Sequence, residues 1–272
     1  MMVWVDGRLS EPDEARISPF DHGVTVGDGV FETCKVVDGT AFALTRHLRR
    51  LARSAAGLGL PAPDDALVRK GVDEILAAEP GAGRLRITYT GGVGPLGSDR
   101  LGAPPTVVVA VGPSGAWEAT TAVSTVPWTR NERSAVAGLK TTSYADNVVA
   151  LSRAHDEGSS EAIFANTRGE LCEGTGSNVF LVLAGRLITP PLASGCLAGI
   201  TRELVIEWVG ADEVEVPLAA LADAEEAFLT SSTRDVQPIH SVDGRSLPAA
   251  PGPLTSAASA EFARRSGADL DP

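Results

Sequence analysis

A short Gly/Pro segment, Gly112-Pro113-Ser114-Gly115, interrupts the chain and most constrains how it can fold. On both sides of it, stretches with the two-residue period of strands alternate with stretches that have the spacing of amphipathic helices. Such a break between periodic segments is typical of a hinge between compact lobes, and 272 residues are enough for two of them. The sequence therefore predicts a first domain at 1–112, a linker at 113–118 and a second domain at 119–272.

The spacing of apolar residues gives a coarse secondary structure. Strands are predicted at 3–9, 27–38, 84–90, 106–111, 120–126, 161–165, 179–183 and 227–231. Helices are predicted after Thr45 as N-cap and at 64–78, 144–157, 199–209 and 254–265. The mixture predicts an α/β (α+β) fold.

Composition excludes several classes of function. An apolar content of 43% with 21% charged residues is that of a soluble globular protein, and a net charge of −12 argues against binding to nucleic acid. The first residues lack the pattern of a signal peptide, and no run of about 18 apolar residues occurs. We therefore expect a cytoplasmic protein with no membrane partner.

Metal and dinucleotide chemistry are not expected either. The three cysteines, Cys34, Cys172 and Cys196, are far apart in sequence and predict buried thiols, and the four histidines are scattered. The segment 92–97 matches G-x-G-x-x-G by letter, but Pro95 and the residues that follow supply no helix on which a pyrophosphate could sit.

A single lysine is the best candidate for chemistry. Lys35, Lys70 and Lys140 are the only lysines among 23 Lys and Arg residues. Lys35 and Lys70 have the spacing of solvated strand and helix positions, whereas Lys140 follows a Gly-Leu pair where a strand-like run gives way to a helix. Arginine cannot replace a lysine whose amine must lose a proton and attack a carbonyl. An ordinary surface lysine is the alternative.

Six motifs, in order along nearly the whole chain, resemble those of the class IV, or D-amino-acid and branched-chain aminotransferase-like, family of pyridoxal-phosphate enzymes. They are Gly27-Asp-Gly-Val-Phe-Glu-Thr33, His47-Leu-Arg-Arg50-Leu-x-x-Ser-Ala55, Leu139-Lys140, Glu170-x-x-Glu173-x-x-x-Ser-Asn178-x-Phe180, Leu197-x-Gly-Ile-Thr-Arg202 and Ser231-Ser-Thr233. The resemblance implies a two-domain D-amino-acid aminotransferase-like fold, with a small α/β domain and a larger barrel-like domain. It also implies a homodimer, with the cofactor between the domains.

The resemblance also implies roles at the cofactor, pyridoxal 5'-phosphate. Lys140 would bind it covalently as a Schiff base, and Glu173 would face the pyridine nitrogen and keep it protonated. Tyr144 would reach the ring hydroxyl.

The phosphate of the cofactor would be held by a separate group of residues. These are Arg50, the backbone amides of Ile200 and Thr201, and the Ser232 hydroxyl. Free N–H groups at the start of a helix bind phosphate in this way.

Departures from the family pattern bear on the reaction and its small-molecule substrate. Branched-chain transaminases have a tyrosine where this chain has Val26, and D-amino-acid transaminases trap a carboxylate with an aromatic hydroxyl at Phe31 and with Arg and His in the loop at 90–97. Both traps are absent here. Arg86 or Arg234 could bind the substrate carboxylate in their place, beside Phe31 and Thr233.

The pattern resembles most the 4-amino-4-deoxychorismate lyases of this family, which release pyruvate and form 4-aminobenzoate for folate synthesis. Some of those lyases carry another residue in place of Thr201, which leaves transamination of branched-chain amino acids, D-amino acids or R-amines open as the alternative.

Overall fold

The computed structural model describes residues 1–272 and divides into two compact units. Unit 1 comprises Met1–Gly115, Leu139–Ser143 and Asp269–Pro272, and unit 2 comprises Ala116–Gly138 and Tyr144–Ala268. The first division falls inside the predicted linker. The expected second domain, 119–272, differs from unit 2 because two of its segments pack with unit 1. None of the helices has the length and apolar character needed to cross a membrane.

Unit 1 is an α/β unit. Its strands are β1 (Val3–Val5), β2 (Arg8–Ser10), β3 (Gly29–Val37), β4 (Thr40–Ala41), β5 (Arg84–Thr90) and β6 (Thr106–Gly112). Its helices are α1 (His22–Thr25), α2 (Leu44–Gly57) and α3 (Asp65–Ala78). The six strands form one sheet in the order β2-β1-β6-β5-β3-β4.

The two faces of this sheet differ in chemistry. Residues such as Val30, Cys34 and Ile87 form a buried cluster with apolar residues of α2 and α3, so these helices cover one face. Residues that are paired directly across β3 and β5 share a face. We call the opposite face the second face; it carries Phe31, Thr33, Lys35, Arg84, Arg86 and Thr88.

Helix α2 begins differently from the prediction. The expected N-cap was Thr45, but the N-cap residue is Ala43, which has a φ of 54° and no side chain that can accept a hydrogen bond. Instead, the Thr45 backbone N–H donates to Asp271 Oδ1 at 2.8 Å, and the Thr45 hydroxyl donates to Asp271 Oδ2. The Ala43 N–H also donates to the Leu270 carbonyl at 2.7 Å. A carboxylate distant in sequence therefore caps this helix.

Unit 2 is also an α/β unit. Its strands are β7 (Thr121–Arg130), β8 (Glu161–Asn166), β9 (Leu171–Gly174), β10 (Asn178–Leu183), β11 (Arg186–Thr189), β12 (Asp212–Glu213), β13 (Glu226–Ser231), β14 (Asp235–Val242) and β15 (Arg245–Ser246). Its helices are α4 (Ala145–Asp156), α5 (Ile200–Val209) and α6 (Pro253–Ala268). The sheet order is β12-β11-β10-β13-β14-β7-β8-β9, with β15 on β14. The predicted α/β class is confirmed.

Strand β14 was not predicted. It contains Pro238, a residue that normally argues against a central strand because it lacks an N–H donor. Pro238 pairs with Phe228 of β13, whereas the pairing of β14 with β7 starts only at Ile239 and shifts register after it. The proline therefore lies where β14 has a partner on one side only.

Asp271 provides a stability test. We expect Asp271→Ala to lower the free energy of unfolding by about 1 kcal/mol, the usual effect of losing a helix cap. Urea unfolding followed by circular dichroism measures the loss. Asp73→Ala, which removes an exposed carboxylate from α3, is the control and should change the stability by less than about 0.5 kcal/mol. Equal stability of the two variants would contradict the assigned cap.

Candidate active site

Lys140 is positioned by backbone contacts within unit 1. Its carbonyl accepts a hydrogen bond from the Phe31 N–H at 3.0 Å, and the Thr142 N–H donates to the Gly29 carbonyl at 2.8 Å. The Lys140 N–H donates to the Ser54 hydroxyl of α2 at 3.2 Å. The lysine is thus fixed between β3 and α2, with a half-buried side chain.

Two cationic side chains meet one aromatic ring beside this lysine. Lys140 Nζ lies 4.6 Å from the centroid of the Phe31 ring, and Arg86 Cζ lies 3.7 Å from the same centroid. Phe31 is 4% exposed. Three of the predicted site residues are therefore together on the second face.

A buried ionic cluster lies on the helix-covered face of the same strand. Glu32 is fully buried and accepts hydrogen bonds from Arg50 Nε at 2.8 Å and from Arg50 Nη2 at 2.6 Å. His47 Nδ1 lies 2.6 Å from the second oxygen of Glu32. These contacts fix the guanidinium of Arg50. Binding of the cofactor phosphate by Arg50 stays a prediction.

The protonation states in this cluster follow from burial and charge. Burial alone would raise the pKa of Glu32, but Arg50 and His47 outweigh it and lower the pKa to about 2. Burial lowers the pKa of His47 despite the nearby carboxylate. At neutral pH, a neutral imidazole therefore donates to Glu32, and Arg50 balances the charge.

In unit 2, Glu173 is held by one ion pair and one backbone donor. Arg130 Nε lies 3.2 Å from Glu173 Oε1, and the Leu197 backbone N–H donates to Glu173 Oε2 at 2.9 Å. Both partners suit an ionised carboxylate. The carboxylate is 12% exposed.

Arg130 is itself oriented by neighbours from two other elements. Its guanidinium carbon lies 4.1 Å from the centroid of the Phe164 ring, and its Nη1 donates to Asn147 Oδ1 of α4 at 2.9 Å. The Asn147 side-chain amide donates in turn to the Thr175 carbonyl. Glu173 is therefore part of a rigid network.

The start of helix α5 has the features of an anion site. The N-cap is Gly199, which offers no side-chain acceptor, so the first-turn N–H groups of Ile200 and Thr201 have no partner within the helix. A Cβ at Gly199 would overlap Asn178 Oδ1, so this close approach requires glycine. Ile200 and Thr201 are both buried.

The remaining predicted residues of unit 2 lie in turns. Ser232 and Thr233 are half-buried in the turn between β13 and β14, and Tyr144 immediately precedes α4. Their predicted roles at the cofactor and the substrate stay predictions.

Arg234 makes several polar contacts within unit 2. Its guanidinium donates to the Ser160 hydroxyl at 3.2 Å and to the Ser160 carbonyl at 3.0 Å, and it also binds Gln237. It lies 3.8 Å from the buried carboxylate of Glu161. Burial lowers the pKa of Arg234. Binding of a substrate carboxylate by Arg86 or by Arg234 stays a prediction.

Arg100, in the loop at 91–105, also makes several hydrogen bonds. Arg100 Nε and Nη2 donate to the two oxygens of Asp28 at 2.5 and 2.6 Å, and Nη1 donates to the Gly59 carbonyl at 3.0 Å. The loop leads from β5 to β6 without a helix, as predicted from Pro95 and the residues that follow it.

Three residues of these contact networks were not predicted from the sequence: Glu32, His47 and Arg130. For Glu32 a signal existed, because it shares the strand face of Val30 and Cys34, and a carboxylate on an apolar face needs a partner. For Arg130, at the end of β7, the sequence gives no signal. The three cysteines are buried thiols, as predicted.

Comparison with known proteins decides the family. The sequence profile of amino-transferase class IV matches residues 29–242. The chain belongs to the class IV aminotransferase family. The resemblance inferred from the motifs is thereby confirmed.

Relatives within the class IV family carry different activities in their names. A putative branched-chain-amino-acid aminotransferase of Methanocaldococcus jannaschii is 32% identical, over 90% of this chain and 89% of the relative. A bifunctional aminodeoxychorismate lyase / D-amino acid transaminase of Mycobacterium tuberculosis is 31% identical, over 92% and 94%. A solved Mycobacterium tuberculosis structure, a hypothetical aminotransferase in its PLP-bound form, superposes with a TM-score of 0.86 at 30% identity, over 97% and 98%.

The buried Glu32 cluster predicts a pH dependence. Because the folded pKa of Glu32, about 2, lies below its ordinary value of 4.5, the stabilisation is present above pH 4.5 and is lost as the pH falls from 4.5 towards 2. The full loss corresponds to about 3 kcal/mol. Urea unfolding between pH 7 and pH 3 measures it.

Glu32→Gln should be less stable at pH 7 and should lose less stability on acidification than the wild type. Glu11→Gln, which changes an exposed carboxyl group, should retain the wild-type profile. An unaltered acid profile in Glu32→Gln would show that another group causes the acid sensitivity.

Proposed function

We propose that the chain is a pyridoxal-phosphate-dependent enzyme whose cofactor is bound covalently by Lys140. The donor set fits the cofactor. Unit 2 offers a carboxylate, Glu173, that an ion pair and a backbone N–H hold in place, and a helix start whose N–H groups suit a phosphate. Unit 1 offers a lysine fixed by backbone hydrogen bonds.

The residues have separate tasks in this proposal. When bound, the cofactor supplies an electron sink next to the reacting amine. Glu173 holds a proton on the pyridine nitrogen, and Arg130 keeps Glu173 in place. The amides of Ile200 and Thr201, with Arg50 and Ser232, hold the phosphate, and Tyr144 contacts the ring hydroxyl.

Lys140 then acts as the proton carrier. Its Nζ takes the proton from the substrate carbon beside the reacting amine, which requires that the amine itself be uncharged at that stage. The fixed backbone of Lys140 keeps this nitrogen near the second face.

We propose that the reaction is the elimination of pyruvate from 4-amino-4-deoxychorismate. In that reaction Lys140 removes the ring proton, the bond between the ring and the enolpyruvyl oxygen breaks, and enolpyruvate leaves as the ring becomes aromatic. The enolpyruvate takes up one proton at its methylene carbon to become pyruvate, which balances the proton removed by Lys140. The observation that carries the proposal is the composition of the loop at 90–97, which has no arginine or histidine where D-amino-acid transaminases trap a carboxylate. The arginine that follows this loop, Arg100, is paired with Asp28. The relative described as both lyase and transaminase supports it.

Transamination is the second candidate. The guanidinium of Arg86 against Phe31 favours it, because a carboxylate of an amino acid could be bound there instead of at the loop. The putative branched-chain relative also supports it.

One assay separates the two reactions. Purified protein is incubated with 4-amino-4-deoxychorismate alone and, separately, with D-alanine, leucine or an R-amine plus 2-oxoglutarate. We expect 4-aminobenzoate and pyruvate to form without an amino acceptor. Turnover only in the mixtures with an acceptor would replace the lyase by a transaminase, and turnover in both would assign both activities.

The covalent attachment has its own test. We expect a visible absorption band in the wild type, and borohydride reduction should place the cofactor label on Lys140 as seen by peptide mass spectrometry. Lys140→Ala should lose the band and reduce turnover by roughly 10³-fold or more.

Lys70→Ala, in which an exposed lysine of α3 is removed, is the matched control and should keep both the band and the turnover. A label on any other lysine, or full turnover of Lys140→Ala, is incompatible with the assigned role.

A further inference from the structure

Arg234 is the last residue of a short turn in unit 2. Strand β13 ends at Ser231 and β14 begins at Asp235, and these two residues pair across the hairpin. Ser232, Thr233 and Arg234 form the turn, so the arginine lies two residues from the hydroxyl expected at the cofactor phosphate. The Arg234 backbone N–H donates to the Ser231 hydroxyl at 3.2 Å. Contacts that hold the Arg234 side chain therefore also hold this turn.

The Arg234 side chain is held by groups from three segments of unit 2. Its guanidinium carbon lies 3.7 Å from the centroid of the Trp117 ring. The guanidinium donates to the hydroxyl and the carbonyl of Ser160 and to the side chain of Gln237. The Gln237 amide donates in turn to the Glu118 carbonyl at 2.8 Å. Since only 5% of the Arg234 side chain is exposed, little of it is accessible to a substrate.

The buried carboxylate of Glu161 connects Arg234 to a second turn. One of its oxygens lies 3.8 Å from Arg234 Nη2 and accepts a hydrogen bond from the Ser177 hydroxyl at 2.9 Å. The other oxygen accepts from the Thr175 backbone N–H at 3.0 Å and from the Thr175 hydroxyl. Glu161 therefore holds both ends of the turn at 175–177.

This second turn adjoins the other predicted cofactor contact of unit 2. It joins β9, which carries Glu173, to β10. The Thr175 carbonyl accepts from the amide of Asn147, which also binds Arg130, the ion-pair partner of Glu173. A continuous set of contacts therefore joins the surroundings of Glu173 to the turn at 232–234.

We propose that Arg234 and Glu161 are positioning residues for the cofactor. Arg234 fixes the turn at 232–234, so that the Ser232 hydroxyl is in place before the phosphate binds, and it does not bind the substrate. Glu161 fixes the turn beside Glu173 and is the buried partner of Arg234. A hydroxyl whose backbone is already held loses little freedom when it binds an anion. The inference rests on the proposed function, because it assumes that Ser232 contacts the phosphate.

The test compares pyridoxal 5'-phosphate with pyridoxal, which lacks the phosphate. The purified protein is freed of cofactor with hydroxylamine, and both compounds are titrated by visible absorbance into the wild type, Arg234→Gln, Arg234→Lys and Glu161→Gln. Arg265→Gln is the matched control, because Arg265 also lies near a ring, Trp208, and donates to a carboxylate, Glu261, but in α6. Circular dichroism and the melting temperature check folding.

We expect Arg234→Gln to weaken the binding of pyridoxal 5'-phosphate by roughly 10- to 100-fold, the usual effect of losing a hydrogen bond to a charged group, and that of pyridoxal by less than roughly threefold. Arg234→Lys keeps the charge without the planar fork and should lie between wild type and Arg234→Gln. Glu161→Gln should weaken both compounds, because it also releases the turn beside Glu173. Arg265→Gln should leave the ratio of the two affinities unchanged.

Substrate kinetics separate this role from substrate binding. A variant that loses only ground-state binding of the substrate shows a raised KM with an unchanged kcat. With saturating cofactor, Arg234→Lys should change the KM of the substrate by less than roughly threefold, because Arg234 acts on the phosphate turn.

Three results would overturn the inference. They are an unchanged ratio of the two affinities in the Arg234 variants, an equal change in Arg265→Gln, and a raised substrate KM in Arg234→Lys while cofactor binding stays as in the wild type. If Arg234→Gln does not fold, the ratio in Arg234→Lys decides. A wild type that forms no absorption band with pyridoxal 5'-phosphate removes the proposed function and the inference together. A wild type labelled on Lys140 whose ratio is insensitive to Arg234 removes the inference alone.

Discussion

The buried contact of Glu32 with Arg50 and His47 is the interaction on which the placement of Lys140 depends. Ion pairs in a protein core seldom add net stability compared with apolar side chains, but removing one partner is costly, because the other is left charged and buried. Here the pair ties β3 to α2. The same two elements hold the backbone of Lys140, one through the Phe31 N–H and the other through Ser54. The ionic contact therefore defines position more than it adds stability.

In each unit, the candidate site residues are held in place by neighbouring side chains of the same unit. In unit 2, Arg130 is held by an aromatic ring and an amide, and it in turn holds Glu173. In unit 1, the Phe31 ring lies against both Arg86 and Lys140. Charged side chains whose supporting partners are in place lose little freedom when a ligand binds, and this preorganisation is what a catalytic site requires.

Local patterns predicted the elements whose periodicity is complete. Strand β5 has the predicted bounds Arg84–Thr90, and α3 begins one residue after the predicted 64. Failures came where the deciding contact is remote: α2 is capped by Asp271 from another part of the chain, and β14 tolerates Pro238 because of its one-sided pairing. Among the candidate site residues, Lys140 was predicted from the scarcity of lysine and from the motifs, and its role stays a prediction, whereas no local pattern marks Arg130 as the partner of Glu173.

The discontinuous make-up of unit 1 has a consequence for biosynthesis. Asp269–Pro272 belong to a unit that otherwise lies mainly in Met1–Gly115. During translation, on the order of ten seconds separate the emergence of these two parts from the ribosome. The lysine segment, Leu139–Ser143, emerges soon after the first segment, but the start of α2 stays uncapped until the last residues of the chain are made. Unit 1 contains both the first and the last residues to be synthesised, so it is completed after unit 2. A chaperone that shields the first segment would act within this interval.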